Sequence, residues 1–319
     1  MRIARIEHGG AQRAAIVSAD GGSVAVLAPE VTATDLLGDE DRRDELAARV
    51  IDELPIDQIR LLAPLAPTTI RDFTVFEQHL EGARMLAGPD AGVPEVWYAA
   101  PFYYFSNPHA ITGPGEEIPI PPGCAVLDFE LEVAAVIGRD GHDLTPAQAG
   151  AHIAGYTIFN DWSARDLQRS EMALGLGLCK GKDFANTLGP WIVTADELER
   201  HRREDRFDLD LRAQINGREL GDDTLANMAW SFEELVAYAS RGTWVRRGDV
   251  LGSGTCGCGC LLEMWGRYGF DDYPPLAAGD TVTLTVEGIG TLSNKVVAGV
   301  DPVALAPARP GRLRSRAAS

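Results

Sequence analysis

Leu127-Asp128-Phe129-Glu130-Leu131-Glu132-Val133-Ala134-Ala135-Val136-Ile137-Gly138 is the stretch around which the chain is organised. Leu127, Phe129, Leu131 and Val133 alternate with Asp128, Glu130 and Glu132. A period of two is that of a β-strand, so the apolar set faces a core and the acids share the opposite face. Side chains two residues apart on a strand stand roughly 6.5–7 Å apart. Two carboxylates so placed repel unless positive charge lies between them, and a hard divalent cation meets that need. A solvated strand face carries the same Glu-x-Glu pattern, and the stretch alone leaves both readings open.

The 319 residues exceed the ~100–200 of a usual single domain and predict a large domain with a smaller one. A net charge of −18 argues against nucleic-acid and anionic-membrane partners, because the summed field repels polyanions. An acidic substrate would need a local cation to overcome that field. The five cysteines, an odd number without framework spacing, read as reduced thiols of a cytoplasmic protein. Cys256-Gly-Cys258-Gly-Cys260 departs from the C-x2-C of common zinc sites and reads as a tight turn of small residues. Met1-Arg2-Ile3-Ala4 lacks a signal-peptide apolar run, and no stretch approaches ~18 uninterrupted apolar residues. The expectation is a soluble protein without a membrane partner.

Ile3 to Ile6, Ala14 to Val17 and Val24 to Leu27 read as strands, and Arg42 to Leu54 as an amphipathic helix. Leu62 to Pro67 reads as a linker, and Arg71 to Ala87 as an extended start followed by a helix. Thr145-Pro146-Ala147-Gln148 and Ser231-Phe232-Glu233-Glu234 are capping boxes. Ile153 to Asn160 is a buried strand, Asn216-Gly217 a hairpin turn, and Val282 to Val297 a second hairpin. Strands dominate residues 95 to 300, which predicts a β-rich α+β fold with a rolled, barrel-like sheet and peripheral helices. The division expected is a small N-terminal β-domain and linker over 1–68, a main domain over 69–306 and a disordered tail over 307–319 bearing Arg309, Arg312, Arg314 and Arg316.

Four further segments carry chemistry. Asp161, in Asn160-Asp161-Trp162-Ser163-Ala164-Arg165-Asp166-Leu167-Gln168, stands where a strand end points into a cleft or where a helix is capped. Arg165 reads as an ion-pair partner that holds this turn. Lys182 lies in a glycine-flanked loop that suits an anionic ligand, or is a surface lysine. His79 is either a packed histidine or a base. Glu263, in Leu261-Leu262-Glu263-Met264-Trp265, reads as an acid inside an apolar strand, and a buried carboxylate wants a partner such as histidine.

Leu-Asp-Phe-Glu-Leu-Glu, Asn-Asp-Trp-Ser-Ala-Arg-Asp-Leu-Gln, Gly-Lys-Asp-Phe, Leu-Gly-Pro-Trp-Ile-Val and Leu-Leu-Glu-Met-Trp follow one another as in the fumarylacetoacetate hydrolase family, which the chain resembles from about Arg71 to Val300. The resemblance implies a mixed β-roll catalytic domain over 69–306 and a homodimer. It implies a Mg2+ ion, with Mn2+ or Ca2+ as alternatives, held by Glu130, Glu132 and Asp161, with Asp72 joining them. It gives His79 and Glu263 as a general-base dyad, and Lys182, Gln168 and Thr255 as contacts of the substrate or its developing charge. Fumarylacetoacetate hydrolase has tyrosines where this chain has Thr74 and Met172, and an arginine that falls at Gly88, for which Arg84 is the nearby substitute. Asn186 replaces a threonine-like outer contact. Many smaller relatives carry an acid at the position of Gly82. These departures turn the expectation from fumarylacetoacetate to another 1,3-diketo acid, such as an acylpyruvate, cleaved by metal-dependent hydrolysis. The family also contains lyases and isomerases of 2-oxo acids, which form the alternative expectation.

Overall fold

The computed structural model describes residues 1–88, 90–175 and 177–311. The Arg312, Arg314 and Arg316 part of the expected tail lies outside them. Four N-terminal strands, β1 (Arg2–His8), β2 (Ala11–Val17), β3 (Ser23–Leu27) and β4 (Val50–Pro55), form an antiparallel meander. The main-domain strands that follow are β5 (Ile70–Phe73), β6 (Tyr103–Ser106), β7 (Leu127–Asp128), β8 (Leu131–Ile137), β9 (Ile153–Asp161), β10 (Ser163–Ala164) and β11 (Asn186–Thr194). After these come β12 (Asp210–Ile215), β13 (Arg218–Thr224), β14 (Val250–Gly252), β15 (Thr281–Val286) and β16 (Gly290–Val297).

One sheet runs β4-β3-β2-β1-β11-β9-β8-β14-β5-β6, so the N-terminal meander continues the main sheet through the β1–β11 pair. Only β14–β5 is parallel along this path. A second sheet runs β13-β12-β15-β16 and ends on Ile118–Pro119. The fold is β-rich and mixed, and neither sheet closes into a barrel among the described residues.

Both faces of β8 are buried, and the alternation sorts them. Leu131, Val133, Ala135 and Ile137 join Leu211, Ala213, Val282 and Leu284 of the second sheet in the main core. Ala134 and Val136 pack with Leu36, Leu37 and Leu46 of the N-terminal region. The acidic face of the stretch is therefore interior, not solvated. At ~25 cal/mol per Å2 of buried apolar surface, such double-sided burial holds β8 firmly in register.

Five helices of eight or nine residues flank the sheets: α1 (Glu40–Ala47), α2 (Glu77–Arg84), α3 (Arg165–Met172), α4 (Phe232–Ser240) and α5 (Leu261–Tyr268). Both capping boxes form, at Thr145 with Gln148 and at Ser231 with Glu234. Two expectations are corrected. The helix expected over 42–54 stops at Ala47, and Val50–Pro55 pairs with β3 instead; β-branched Val50 and Ile51 favour the edge strand that β3 offers. The strand expected at Leu261–Trp265 is the start of α5. A five-residue apolar run does not separate helix from buried strand by itself, and here Leu261, Met264 and Trp265 bury one helical face.

Candidate active site

Asp72 on β5, Glu130 just before β8, Glu132 on β8 and Asp161 at the end of β9 converge, each offering one oxygen within 4.8 Å of the others, and all four are buried. The sheet register brings them together. Leu131 pairs with Asn160 across β8–β9, and Gly252 of β14 pairs with both Ala134 and Asp72. Gly252 is glycine for a reason of space: a Cβ there would lie 2.6 Å from Asp72 Oδ1 and 2.8 Å from Glu132 Oε2.

Two cations and a tyrosine touch this cluster. Lys182 Nζ donates to Glu130 Oε2 and Asp161 Oδ2, both at 2.5 Å, and Arg165 Nη2 donates to Glu130 Oε1 at 2.7 Å. The Tyr104 hydroxyl donates to Asp72 Oδ2 at 2.7 Å and also reaches Asp161 Oδ2. The Gly254 N–H donates to Glu132 Oε2 at 2.9 Å. These donors leave Asp72 Oδ1, Glu132 Oε1 and Asp161 Oδ1 buried without a hydrogen-bond partner. Buried acceptors without partners are costly, and three in one nest, among four acids close enough to share an ion, could take a cation. An all-oxygen donor set suits Mg2+, Mn2+ or Ca2+.

Electrostatics within the nest agree. Burial pushes the carboxyls of Asp72, Glu132 and Asp161 above the ordinary range; neighbouring acids add to this at Glu132 and Asp161, while Glu132 and Lys182 work against it at Asp72, and Lys182 does so at Asp161. Burial acts on Glu130 in the same sense, but Lys182 and Arg165 outweigh it and hold Glu130 below the ordinary range. Lys182 is pulled down by burial and more than restored by Asp161 and Glu130, so it stays charged.

His79, on α2, is buried, with Nδ1 3.6 Å from Cys260 Sγ and 3.8 Å from Glu263 Oε2. Glu263 Oε2 accepts the Cys258 N–H at 2.7 Å, and Oε1 accepts Arg267 Nε at 2.9 Å. The Cys-Gly-Cys-Gly-Cys segment is thus the turn that wraps Glu263, with Cys258 at φ +56° and all five cysteines free. Gly82 has no room for the acid that smaller relatives place there, since its Cβ would stand 2.3 Å from Glu263 Cγ. In this chain Glu263 fills that space from α5.

The other expected residues divide. Gln168 accepts from Arg165 Nη1 at 3.1 Å, and Thr255 is buried beside Gly254. Asn186 donates to Ser106 Oγ, which in turn donates to the Lys182 carbonyl. Arg84 turns away: its guanidinium donates to the Gly92 and Ala91 carbonyls and is committed to that loop. Tyr104 and Cys260 were not singled out from the sequence. Tyr104 stands directly opposite Asp72 in the β5–β6 pair, a register that the unbroken aromatic run at 102–105 does not reveal. Cys260 was read only as part of a turn.

The family model for the C-terminal region of fumarylacetoacetate (FAA) hydrolase matches residues 68–297. The chain belongs to the fumarylacetoacetate hydrolase family. A fumarylacetoacetase of Arabidopsis thaliana is 30% identical over an alignment of 258 positions that covers 65% of this chain and 61% of that enzyme, so the match spans less than two thirds of the relative. Oxaloacetate tautomerase YisK of Bacillus subtilis is 29% identical over 243 residues, 76% of this chain and 74% of that one. Maleylpyruvate hydrolase from Sphingobium sp. SYK-6, solved with manganese(II) and pyruvate, superposes with a TM-score of 0.69 at 20% identity over 94% of this chain and 100% of that chain. At that identity the likeness shows the shared fold. Members of the family are enzymes, hydrolases and tautomerases among them. No helix among the described residues is long and apolar enough to cross a membrane.

Proposed function

We propose that this fumarylacetoacetate hydrolase family protein is a divalent-metal-dependent enzyme that hydrolyses a carbon–carbon bond of a 1,3-diketo acid of the acylpyruvate type. The observation that carries the reading is the nest of four buried acids with three unpartnered oxygens, set near a buried histidine–glutamate pair. Asp72, Glu130, Glu132 and Asp161 would hold a Mg2+ ion, or Mn2+ or Ca2+. Such an ion, when bound, neutralises the substrate's charge and polarises its oxo oxygen.

The chain's own residues supply the rest. His79 presents Nδ1 to Glu263 and Cys260, which leaves Nε2 to take a proton from water. The hydroxide adds to the distal carbonyl, whose developing negative charge Lys182 and Gln168 stabilise, an effect typically worth several kcal/mol. The carbon–carbon bond then breaks, its electron pair stays with the oxo-acid fragment, and His79 returns the proton to that carbon. Thr255 and Arg165 complete the substrate-facing wall. By the family resemblance the chain works as a homodimer, with residues 1–68 as the small domain and 69–306 as the catalytic one.

A second reading keeps the metal and omits the hydrolytic water: keto–enol or related isomerisation of a 2-oxo acid. The tautomerase similarity favours it, as does a His79–Glu263 separation of 3.8 Å, longer than a hydrogen bond. One experiment separates the two. Loss of diketo-acid absorbance across an acylpyruvate panel is followed with Mg2+ or Mn2+, in wild type and His79→Ala, beside oxaloacetate keto–enol exchange. Metal-dependent cleavage that falls by about 10^2–10^4-fold in the variant supports hydrolysis. Oxaloacetate exchange without cleavage of any diketo acid overturns hydrolysis in favour of the second reading.

A further inference from the structure

We infer that Asp128, which lies outside the acid nest, is a positioning residue that anchors both the metal-facing carboxylate Glu130 and the helix bearing Glu263. The inference rests on the function proposed above. Asp128 closes β7 and is 0% exposed. Its Oδ1 accepts the N–H groups of Phe129 at 2.8 Å and Leu261 at 2.7 Å. Its Oδ2 accepts the Leu262 N–H at 2.9 Å, and Arg165 Nε and Nη2 at 2.9 and 2.7 Å.

Two of these donors are the first residues of α5. Their amides have no carbonyl partner within the helix, and a negative charge at that end is favoured by the helix dipole. Cys260, the N-cap residue, makes no side-chain cap bond, so Asp128 does the capping from another strand. Glu263 follows Leu262 directly, and the direction of its side chain is set by how this first turn is held.

The other limb runs through Arg165. Its Nη2 is shared between Asp128 Oδ2 and Glu130 Oε1, each at 2.7 Å. A guanidinium is a rigid planar fork, so fixing it on Asp128 fixes where Glu130 Oε1 is held. Glu130 Oε2 is then the oxygen that accepts from Lys182, which also donates to Asp161. One buried carboxylate thereby sets the relative placement of the proposed metal ligands and of the proposed base.

The test reads the two limbs separately. Mn2+ affinity is titrated by electron paramagnetic resonance in wild type, Asp128→Asn and Arg165→Lys, and amide hydrogen exchange is followed throughout the protein without metal, residues 259–265 being read apart. Asparagine keeps one acceptor oxygen but turns an NH2 group toward Arg165 or the α5 amides. Asp128→Asn is expected to bind Mn2+ about tenfold more weakly or worse, the loss typical of contacts behind a metal ligand, with exchange at 261–263 speeded more than in the rest of the protein. Arg165→Lys is expected to lose affinity while exchange at 261–263 stays as in wild type. Wild-type Mn2+ affinity in Asp128→Asn overturns the inference, as does exchange at 261–263 speeded no more than elsewhere in the protein together with wild-type affinity in Arg165→Lys. Should Asp128→Asn not fold, Arg165→Lys decides the metal limb by the same criterion. If wild type and both variants alike bind no Mn2+, the metal reading fails, a result distinct from failure of the Asp128 role.

Discussion

Asp128 and Glu132 lie four residues apart on one stretch, both wholly buried, and the protein treats them in opposite ways. Asp128 accepts five hydrogen bonds, two of them from Arg165. Glu132 accepts one from Gly254, shares its nest with three other acids, and leaves Oε1 without a partner. Burial of a charge is tolerated where the protein itself supplies the donors, as around Asp128. Where it withholds them, as at Glu132 Oε1, the group is open to a partner from outside the chain, the role proposed above. The contrast separates an anchoring acid from a ligand acid more sharply than exposure or sequence spacing does.

The contrast is broken most directly at Glu132. Glu132→Gln should cut metal-dependent turnover by about 10^3-fold, roughly 4 kcal/mol of transition-state stabilisation, with little change in the fold. Turnover within about threefold of wild type would remove Glu132 from the ligand set. The next effect is on stability, and its sign differs between the two kinds of acid. Asp128→Asn should destabilise the metal-free protein by about 3 kcal/mol, since it breaks a buried ion pair. Asp72→Asn should stabilise the metal-free protein by about 1 kcal/mol, because it removes one of the crowded charges, while weakening metal binding. Chemical denaturation of both variants checks this pair, and equal destabilisation would erase the distinction between them.

The smallest expected effect is in pH dependence. Asp72, Glu132 and Asp161 have folded pKa values raised above unfolded values of roughly 4. Their contribution to stability is therefore fully present below about pH 4 and lost as pH rises through the raised values. Glu130, held below its unfolded value, contributes in the opposite sense and loses its share as pH falls. With three groups against one, metal-free protein should lose melting temperature on the alkaline side. Saturating Mg2+ or Mn2+ should flatten that slope, because binding displaces the protons. Thermal scans at several pH values, with and without metal, read this; identical slopes would count against a cation in the nest.

Local signals survived where the physics is local. Asn216-Gly217 turns with positive φ at both residues, and both capping boxes close on themselves. These depend on a few neighbouring atoms and need nothing from the rest of the chain. The apolar run at 261–265 failed for the opposite reason: its helical state depends on α2 and on Asp128 lying against it. The family resemblance offers Arg84 as a substrate contact in place of an arginine that falls at Gly88, yet nearby backbone carbonyls claim it. Tyr104 could not be read without the β5–β6 register that sets it across from Asp72.

By itself the sequence determined the family, the alternation that makes β8 a central strand, and the residue types of the site, because each of these is written in spacing and side-chain chemistry. Only the tertiary structure decided which acids are anchored and which are left wanting. Asp128, Glu130 and Glu132 carry the same functional group at the same spacing. What distinguishes them is the donors that strands, helix ends and arginine bring from residues 35 to 134 positions away. Hydrogen-bond satisfaction is a property of the packed chain, and no local pattern encodes it.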